Sequence, residues 1–537
     1  MGSLDRRSFI GSAAAGGAGL ALGGRAQATG KRPNIVLILA DDMGYSDIGC
    51  YGSEINTPAI NRLASGGLRF NRFYNAARCC PTRASLLTGL YPHQAGVGHM
   101  THDRGTPGYR GHLKQDCVTL GEAMGRAGYH TIMSGKWHVG SKKGRWPADR
   151  GFGEHYGIIA GSSHYFHPGE ESMLAHNHKL VRPGEDFYTT DAFTDHAIRS
   201  IGECRKKDNN PFFLYLAYNA PHWPLHAYEE DVKKYEGRYK KGWDRLRQER
   251  YRRMKEMGII EPGWNLSERD RATPPWKALT PWKKEEMERK MAVYAAMVDR
   301  MDQDINKLLR YLESTGEMDN TLILFLSDNG ACHELTAFGF DWNPKYSEGF
   351  FKTLTARPGT PESFCSYGRG WSNAGNTPFR LHKHWTHEGG IATPLIAYWP
   401  GVISPGGSTD EVGHVIDLMA TCLDAAGADY PETFAGNDIQ PLEGKSLLPV
   451  LQGGSREGHD ALFWEHEGNK AVIQGRWKLV SDYPGGFELY DLVEDRTETR
   501  NLAKDKKQKV KELSRMYEEW ARRSHVEPWK PYQALQY

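Results

Sequence analysis

Eight cysteines among 537 residues are too few to staple a chain of this length, so its stability has to come from a buried core and not from a disulfide framework. None of them stands in Cys-x-x-Cys spacing, which removes the common thiolate zinc motif. Long hydrophobic runs are missing too, and a mean hydropathy of -0.63 excludes a polytopic membrane protein. Nor is there an excess of one charge, with 68 basic and 66 acidic side chains. That balance supplies no bulk attraction to nucleic acid or a membrane surface, and neither nucleic-acid binding nor membrane insertion is expected.

The N-terminal stretch "DRRSFIGSAAAGGAGLALGG" pairs Arg6 and Arg7 with a mild Gly/Ala-rich run and then "RAQA". This is the pattern of a twin-arginine export signal spanning 1–28, and it predicts a periplasmic or secreted protein. The run is too short and too rich in glycine for a spanning helix, which needs roughly 20 apolar residues. Cleavage removes three arginines and one aspartate, which leaves the remainder formally neutral.

From Asn34 onward, apolar runs alternate with helical patterns. "NIVLILADD", "PFFLYLAYNAPH", "TLILFLSDNG" and "TPLIAYWPG" are continuous enough to be strands buried on both faces. "TLGEAMGRAG" is a helix with a Thr119/Glu122 capping box and a terminal glycine. This alternation predicts an α/β domain over 29–450, built on a mostly parallel sheet flanked by helices. After about residue 450, short strands broken by Gly and Pro-Gly-Gly turns predict a small α+β domain, 451–537, with an antiparallel sheet and a terminal helix. The basic stretch Val232–Gly258 has helical spacing and is expected to be a solvated helix in an insertion, or else a rim attracting anions.

Each strand candidate ends in residues capable of chemistry. Asp41 and Asp42 follow the first, Lys136 and His138 follow "HTIMSG", His222 follows "FFLYLAYNAP", and Asp328 and Asn329 follow "LILFLS". Ligands of open α/β sheets sit outside the carboxyl ends of the strands, so these residues are placed to converge. Three aspartates and an asparagine make an all-oxygen donor set, suited to Ca²⁺ or Mg²⁺ and not to zinc or copper. Arg83, Lys136, His138 and His222 complement an anionic group. Taken singly, each has an ordinary explanation: a turn, a helix cap, the hairpin signal Asp-Asn-Gly, a surface lysine or a satisfied histidine.

In "RCCPTRASLLTG", Pro81 suits the first position of a short helix closed by Gly89. A thiolate at the N-terminus of that helix is chemically reasonable, yet it sits awkwardly beside an oxygen-loving cation. On these residues alone, a metal-dependent phosphatase is the alternative.

The segments resemble the type I, formylglycine-dependent sulfatases of the alkaline phosphatase superfamily, and most closely their bacterial arylsulfatase branch. The Cys-x-Pro-x-Arg signature with its Thr-Gly is met by Cys79, Pro81, Arg83, Thr88 and Gly89. "ADDMGYSDIGCYG", "GYHTIMSGKWHVG", "APHWPLHA", "LSDNG", "NTPFRLHKHWTHEGG" and "RWKLV…ELYDL" look like family segments in family order. The resemblance implies that Cys79 is converted to formylglycine by a separate maturation enzyme. It also implies that Asp41, Asp42, Asp328, Asn329 and the modified Cys79 hold a cation, Ca²⁺ in preference to Mg²⁺. Arg83, Lys136, His138, His222 and Lys383 would surround the sulfate, and only the resemblance selects Lys383. The implied activity is hydrolysis of aryl sulfates or sulfated carbohydrates; the alternative within the superfamily is a phosphonate monoester or phosphodiester hydrolase. Cys80, where Ser or Thr is usual, and Thr82 are small departures that bear on maturation and not on the chemistry. Substrate selection is expected in the loops 99–112, 160–190, 232–281 and 335–372. Trypsin should release Cys79–Arg83 as one peptide, and fragmentation is expected to place an aldehyde at position 79; a change at Cys80 would overturn the register.

Overall fold

In the computed structural model, which describes residues 31–341 and 356–530, the apolar run Asn34–Ala40 forms strand β1, buried along its whole length. Its alternation divides the core into two layers. Ile35, Leu37 and Leu39 pack with Leu86, Leu87, Leu120 and Met419, which lie on helices Cys79–Thr88, Leu120–Arg126 and Asp417–Ala426. Val36, Ile38 and Ala40 pack with Phe193, Met297 and Leu308, from helices Thr189–Lys207 and Pro281–Ser314. Cover on both faces is why the strand has no polar side. Residues 1–28, where an export signal is expected, lie outside the described residues, as does part of the 335–372 loop. Among the described residues no helix is long and apolar enough to cross a membrane.

The sheet has 11 strands. After β1 come β2 (Leu68–Tyr74), β3 (His130–Gly135), β4 (Glu154–Ile158), β5 (Leu174–His176), β6 (Lys179–Leu180), β7 (Phe212–Ala217), β8 (Thr321–Ser327), β9 (Ala392–Tyr398), β10 (Gly407–Thr409) and β11 (Gly413–His414). Their order is β10-β2-β9-β8-β1-β7-β3-β4-β5-β6, with β11 also on β2. From β8 through β1, β7 and β3 to β4 every pairing is parallel. The carboxyl ends of β1, β3, β7 and β8 therefore open on one edge. β9 is antiparallel to both β8 and β2, so β2 ends at that same edge and β9 begins there. The segments preceding β9 and following β2 are thus delivered to the carboxyl ends of the parallel strands, although one lies upstream of its strand. At the end of β3 the backbones come too close for any side chain: a Cβ on Gly135, whose φ is +117°, would fall 1.9 Å from the Ala217 carbonyl oxygen.

Two local expectations are corrected. The helix bearing the paired cysteines starts at Cys79 with Arg78 as its N-cap, so Pro81 is its third residue and not its first. Proline is accommodated there because first-turn N–H groups have no partner within a helix. The basic stretch Val232–Gly258 is not one solvated helix. It is broken at Gly242, φ +75°, and helix Gly242–Glu256 buries Trp243, Leu246, Arg250 and Met254. Arg250 is fully buried between Asp47 and Glu54; partners distant in sequence turn an apparently surface arginine into an interior one. The Thr119/Glu122 capping box is present, with both of its hydrogen bonds.

Beyond residue 450, strands Leu462–His466, Asn469–Gln474, Trp477–Ser481 and Glu488–Asp491 form a four-stranded antiparallel sheet. Helix Lys507–Arg523 covers it with Leu513, Tyr517 and Trp520, and Trp520 stacks on Phe463 at 5.2 Å. A buried knot of charge ties this sheet to the segment before β9. Lys478 Nζ lies 2.9 Å from Glu388 Oε1 and 2.8 Å from Glu498 Oε1, and Arg496 Nε lies 2.8 Å from Glu388 Oε2. All four side chains are fully enclosed, so removing one leaves an unpaired buried charge. Arg496→Ala is therefore expected to cost about 3–5 kcal/mol, read as a lowered urea midpoint; an unchanged midpoint would contradict this account.

Candidate active site

Asp41 and Asp42, at the end of β1, lie at the centre of the edge where the strands open. The backbone N–H of Asp42 donates to Asp328 Oδ1 at 3.2 Å, which joins the ends of β1 and β8. Asn329 Nδ2 donates to Asp42 Oδ1 at 2.7 Å. From β3, Lys136 Nζ reaches Asp41 Oδ2 at 2.6 Å. From the segment before β9, Lys383 Nζ lies 2.7 Å from Asp42 Oδ1 and 2.9 Å from its Oδ2. His222, after β7, brings Nε2 within 3.4 Å of Asp42 Oδ2.

Arg83, one helical turn beyond Cys79, donates to Asp328 Oδ2 from Nε and Nη2 at 3.1 and 2.8 Å, and to the Lys136 carbonyl from Nη1 at 2.9 Å. These donors serve protein acceptors, so Arg83 acts through Asp328 and Lys136. Cys79, Cys80 and His138 present their sulfurs and a ring nitrogen within 4.8 Å of one another. All the site residues that the sequence singles out, Lys383 included, are brought together by this edge of the sheet.

Backbone strain is concentrated here. Asp42 and His138 have φ of +65° and +59°, and Leu381 and His384, which flank Lys383, have +64° and +93°. A non-glycine residue in this region costs on the order of 1–3 kcal/mol unless its surroundings over-determine it. The ion pairs and hydrogen bonds above provide that determination.

Residues that sequence reasoning passed over form a second layer. Glu334 accepts from Trp223 Nε1 at 2.7 Å and pairs with Arg78 at 2.9 Å. Trp223 stands against His222 with ring centroids 4.6 Å apart, and its carbonyl accepts from His222 Nδ1 at 2.6 Å. Their only sequence signal is adjacency to site residues: Arg78 precedes Cys79 and Trp223 follows His222.

The electrostatics follow from this enclosure. A hydrogen bond from Cys80 holds the Cys79 thiol well below its ordinary range; burial opposes the shift, and Lys136, His138 and Lys383 add to it. Burial pushes the Cys80 thiol up, so the two adjacent cysteines are chemically distinct. Burial lowers His138 and His222 to about 4, which leaves both imidazoles neutral near pH 7. Lys383 stays charged: burial disfavours the ammonium, but Asp42, Cys332 and Glu334 raise it well above its usual value. Burial also opposes charge on Asp42, yet His222 and Lys383 hold that carboxyl low.

Asp328 is pushed up to about 8 by burial and by Asp41. Burial raises Asp41 as well, against Lys136 and Arg83. The cluster's own cations thus do not fully offset the burial of Asp41 and Asp328. Asp41 Oδ1 and Asn329 Oδ1 are, moreover, buried acceptors without a donor, each costing about 1–3 kcal/mol if left unmet. Orphaned oxygens within an all-oxygen set fit a hard divalent cation, which would return Asp41 and Asp328 to their ionised forms.

A sulfatase family model matches residues 33–428, and one described as N-sulphoglucosamine sulphohydrolase, C-terminal, matches 379–523. An uncharacterized sulfatase of Schizosaccharomyces pombe is 37% identical over 507 residues, covering 89% of this chain and 91% of its own length. The arylsulfatase of Klebsiella aerogenes is 35% identical over 440 residues, covering 80% and 94%. The crystal structure of Ps i-CgsB in complex with k-i-k-neocarrahexaose superposes with a TM-score of 0.68 at 26% identity, over 94% of this chain and 96% of that one. Strand-end carboxylates, buried cations around one cysteine, and likeness along nearly the whole chain lead to one conclusion: the protein belongs to the sulfatase family and is an enzyme of sulfate ester hydrolysis.

Proposed function

We propose that the enzyme removes sulfate from a sulfated carbohydrate, with residue 79 as formylglycine and Ca²⁺ as the metal. The observation that carries this is the convergence of Lys136, His138 and Lys383 on Cys79, beside an oxygen cluster with two unmet acceptors. The carbohydrate part of the proposal draws on Ps i-CgsB, whose structure holds a neocarrahexaose.

Once converted, position 79 supplies a hydrated aldehyde, with one hydroxyl to attack sulfur and a second on the same carbon to let sulfate leave. Asp41, Asp42, Asp328 and Asn329 would hold the cation, which supplies Lewis-acid polarisation of a sulfuryl oxygen. The remaining chemistry belongs to the chain's own side chains. Lys136 and Lys383 hold fixed positive charge in a dry site, where charge on sulfuryl oxygens is stabilised far more than in water. His138, kept neutral by burial, is competent to accept a proton.

The Trp223 carbonyl can only accept, so His222 carries hydrogen on Nδ1 and presents Nε2 to the site. To act as the acid toward the departing oxygen, Nε2 first takes up a proton from solvent as the anionic substrate enters, and then passes that proton on. The Cys79 side chain is 2% exposed, which supports conversion by a separate maturation enzyme before the chain closes over it. Export of the folded, matured protein by the twin-arginine route is part of the same proposal, and the paired Arg6 and Arg7 support it.

The test is a panel of defined sulfated sugars, nitrophenyl sulfate and a nitrophenyl phosphodiester, assayed with the wild type and His222→Ala. Sulfated sugars are expected to be turned over and the phosphodiester only poorly. His222→Ala is expected to lose about 10²–10⁴-fold in kcat on sugar sulfates, whose leaving oxygen needs a proton, and far less on nitrophenyl sulfate. Equal losses on both would remove His222 as the proton donor. Chelation is expected to abolish activity, with Ca²⁺ restoring it better than Mg²⁺; preferential recovery with Mg²⁺ would reverse the metal assignment.

A further inference from the structure

Away from the catalytic cluster, three side chains from three regular elements converge near the β6 edge of the central sheet. They are Glu154 on β4, His176 on β5 and His196 on helix Thr189–Lys207, and their ligand atoms lie within 4.8 Å of one another. β4 and β5 are antiparallel with Tyr156 opposite His176. Side chains alternate along a strand, so Glu154 shares a face with Tyr156 and is a diagonal neighbour of His176. Glu154 Oε1 lies 2.7 Å from His176 Nε2 and 3.2 Å from His196 Nε2.

The surroundings of His196 decide which of its nitrogens carries hydrogen. Ser134 Oγ donates its one proton to the Phe193 carbonyl at 2.7 Å. It can therefore only accept from His196 Nδ1, 3.2 Å away. In the neutral imidazole, Nε2 then bears a lone pair, and that lone pair faces the Glu154 carboxylate, acceptor against acceptor. His196 is buried, out of reach of bulk solvent that could otherwise come between the two acceptors. Ser200 Oγ, 3.3 Å from the same nitrogen, is one turn along the helix and can turn to the His196 carbonyl instead. It does nothing for the carboxylate oxygen.

The second shell suits a ligand. Asn177 Nδ2 occupies Glu154 Oε2 at 3.3 Å, which leaves Oε1 to the histidines. Ser134 fixes the His196 ring as a hydrogen-bonded partner fixes a metal-bound imidazole. Two histidine nitrogens and one carboxylate oxygen are a zinc donor set. With bonds of about 2.0–2.1 Å, tetrahedral ligands stand roughly 3.3 Å apart; the Glu154–His196 spacing of 3.2 Å matches this, and the Glu154–His176 spacing of 2.7 Å has to lengthen. The His176 side chain is 50% exposed, which leaves room for water as the fourth ligand.

We propose that Glu154, His176 and His196 form a site for a zinc-class divalent cation, distinct from the catalytic cluster, that clips β4, β5 and helix Thr189–Lys207 together. The test uses full-length enzyme stripped with chelator, reloaded with excess Ca²⁺ to fill the catalytic cluster, and titrated with Co²⁺. The expected result is one equivalent of Co²⁺ with visible absorption of a low-coordinate nitrogen and oxygen site, displaced by Zn²⁺. His176→Ala, at an exposed edge where folding is not at risk, is expected to weaken binding at least about 100-fold, as is Glu154→Gln, while His222→Ala retains it. Zn²⁺ should also raise the Tm of the wild type and not that of His176→Ala. Equal Co²⁺ stoichiometry in the wild type and His176→Ala, or loss of the signal in His222→Ala alone, would overturn the proposal, as would no binding at all, with His196 then holding a proton where the metal was placed.

Discussion

Charge compensation in a space without water governs this molecule. Asp41, Asp42 and Asp328 are fully enclosed, and an unpaired carboxylate in such a place is too costly to persist. Each is answered by a cation from a different part of the chain: Lys136 for Asp41, Lys383 for Asp42, and Arg83 for Asp328. The pairs act as ties between the ends of β1, β3 and β8, the helix after β2 and the segment before β9. A sheet of mixed direction can gather such distant residues because β9 begins where the parallel strands end. The same ties hold Asp42, His138 and the flanks of Lys383 in left-handed backbone that an isolated chain would leave.

This arrangement also explains how the site discriminates. Its fixed cations are largely spent on its own carboxylates, so a sulfate is not held by excess charge alone. On the proposed assignment it would gain most where two cationic groups and the oxygen cluster coincide around residue 79, with charge developing on sulfuryl oxygen meeting dipoles already in place. The neutral state of His138 and His222 belongs to the same economy of charge. Burial leaves both imidazoles neutral, so each can take up a proton at the nitrogen that faces the site.

Much of this was legible in the residues. Strands ending in Asp-Asp, Lys-x-His, His and Asp-Asn could be read from runs bounded by polar residues, because a strand covered on both faces needs continuous apolar character. Lys383 was not legible by that logic. It follows no strand end and lies in irregular chain between Leu381 and His384, and only the family resemblance around Glu388-Gly389-Gly390 points to it. Arg250 was missed for the opposite reason: a basic run looks solvated until Asp47 and Glu54, far earlier in the chain, are seen beside it. Pro81 was displaced by two positions because Arg78, with no side-chain hydrogen bond to the helix, still serves as its N-cap. The cluster of Glu154, His176 and His196 gave no signal, since its members are spread over two strands and a helix at no metal-binding interval.

The knot of Lys478, Arg496, Glu388 and Glu498 has a consequence in time. Glu388 lies just after Lys383, and its partners Lys478 and Arg496 come 90 and 108 residues later in the chain. Until they arrive, Glu388 is a carboxylate without counter-charge, and the segment bearing Lys383 has no anchor on its far side. The wall that carries Lys383 is therefore fixed only once that later sheet has been made. The later sheet acts as a clock for the earlier one, setting how long the strand-end chamber stays without its last wall.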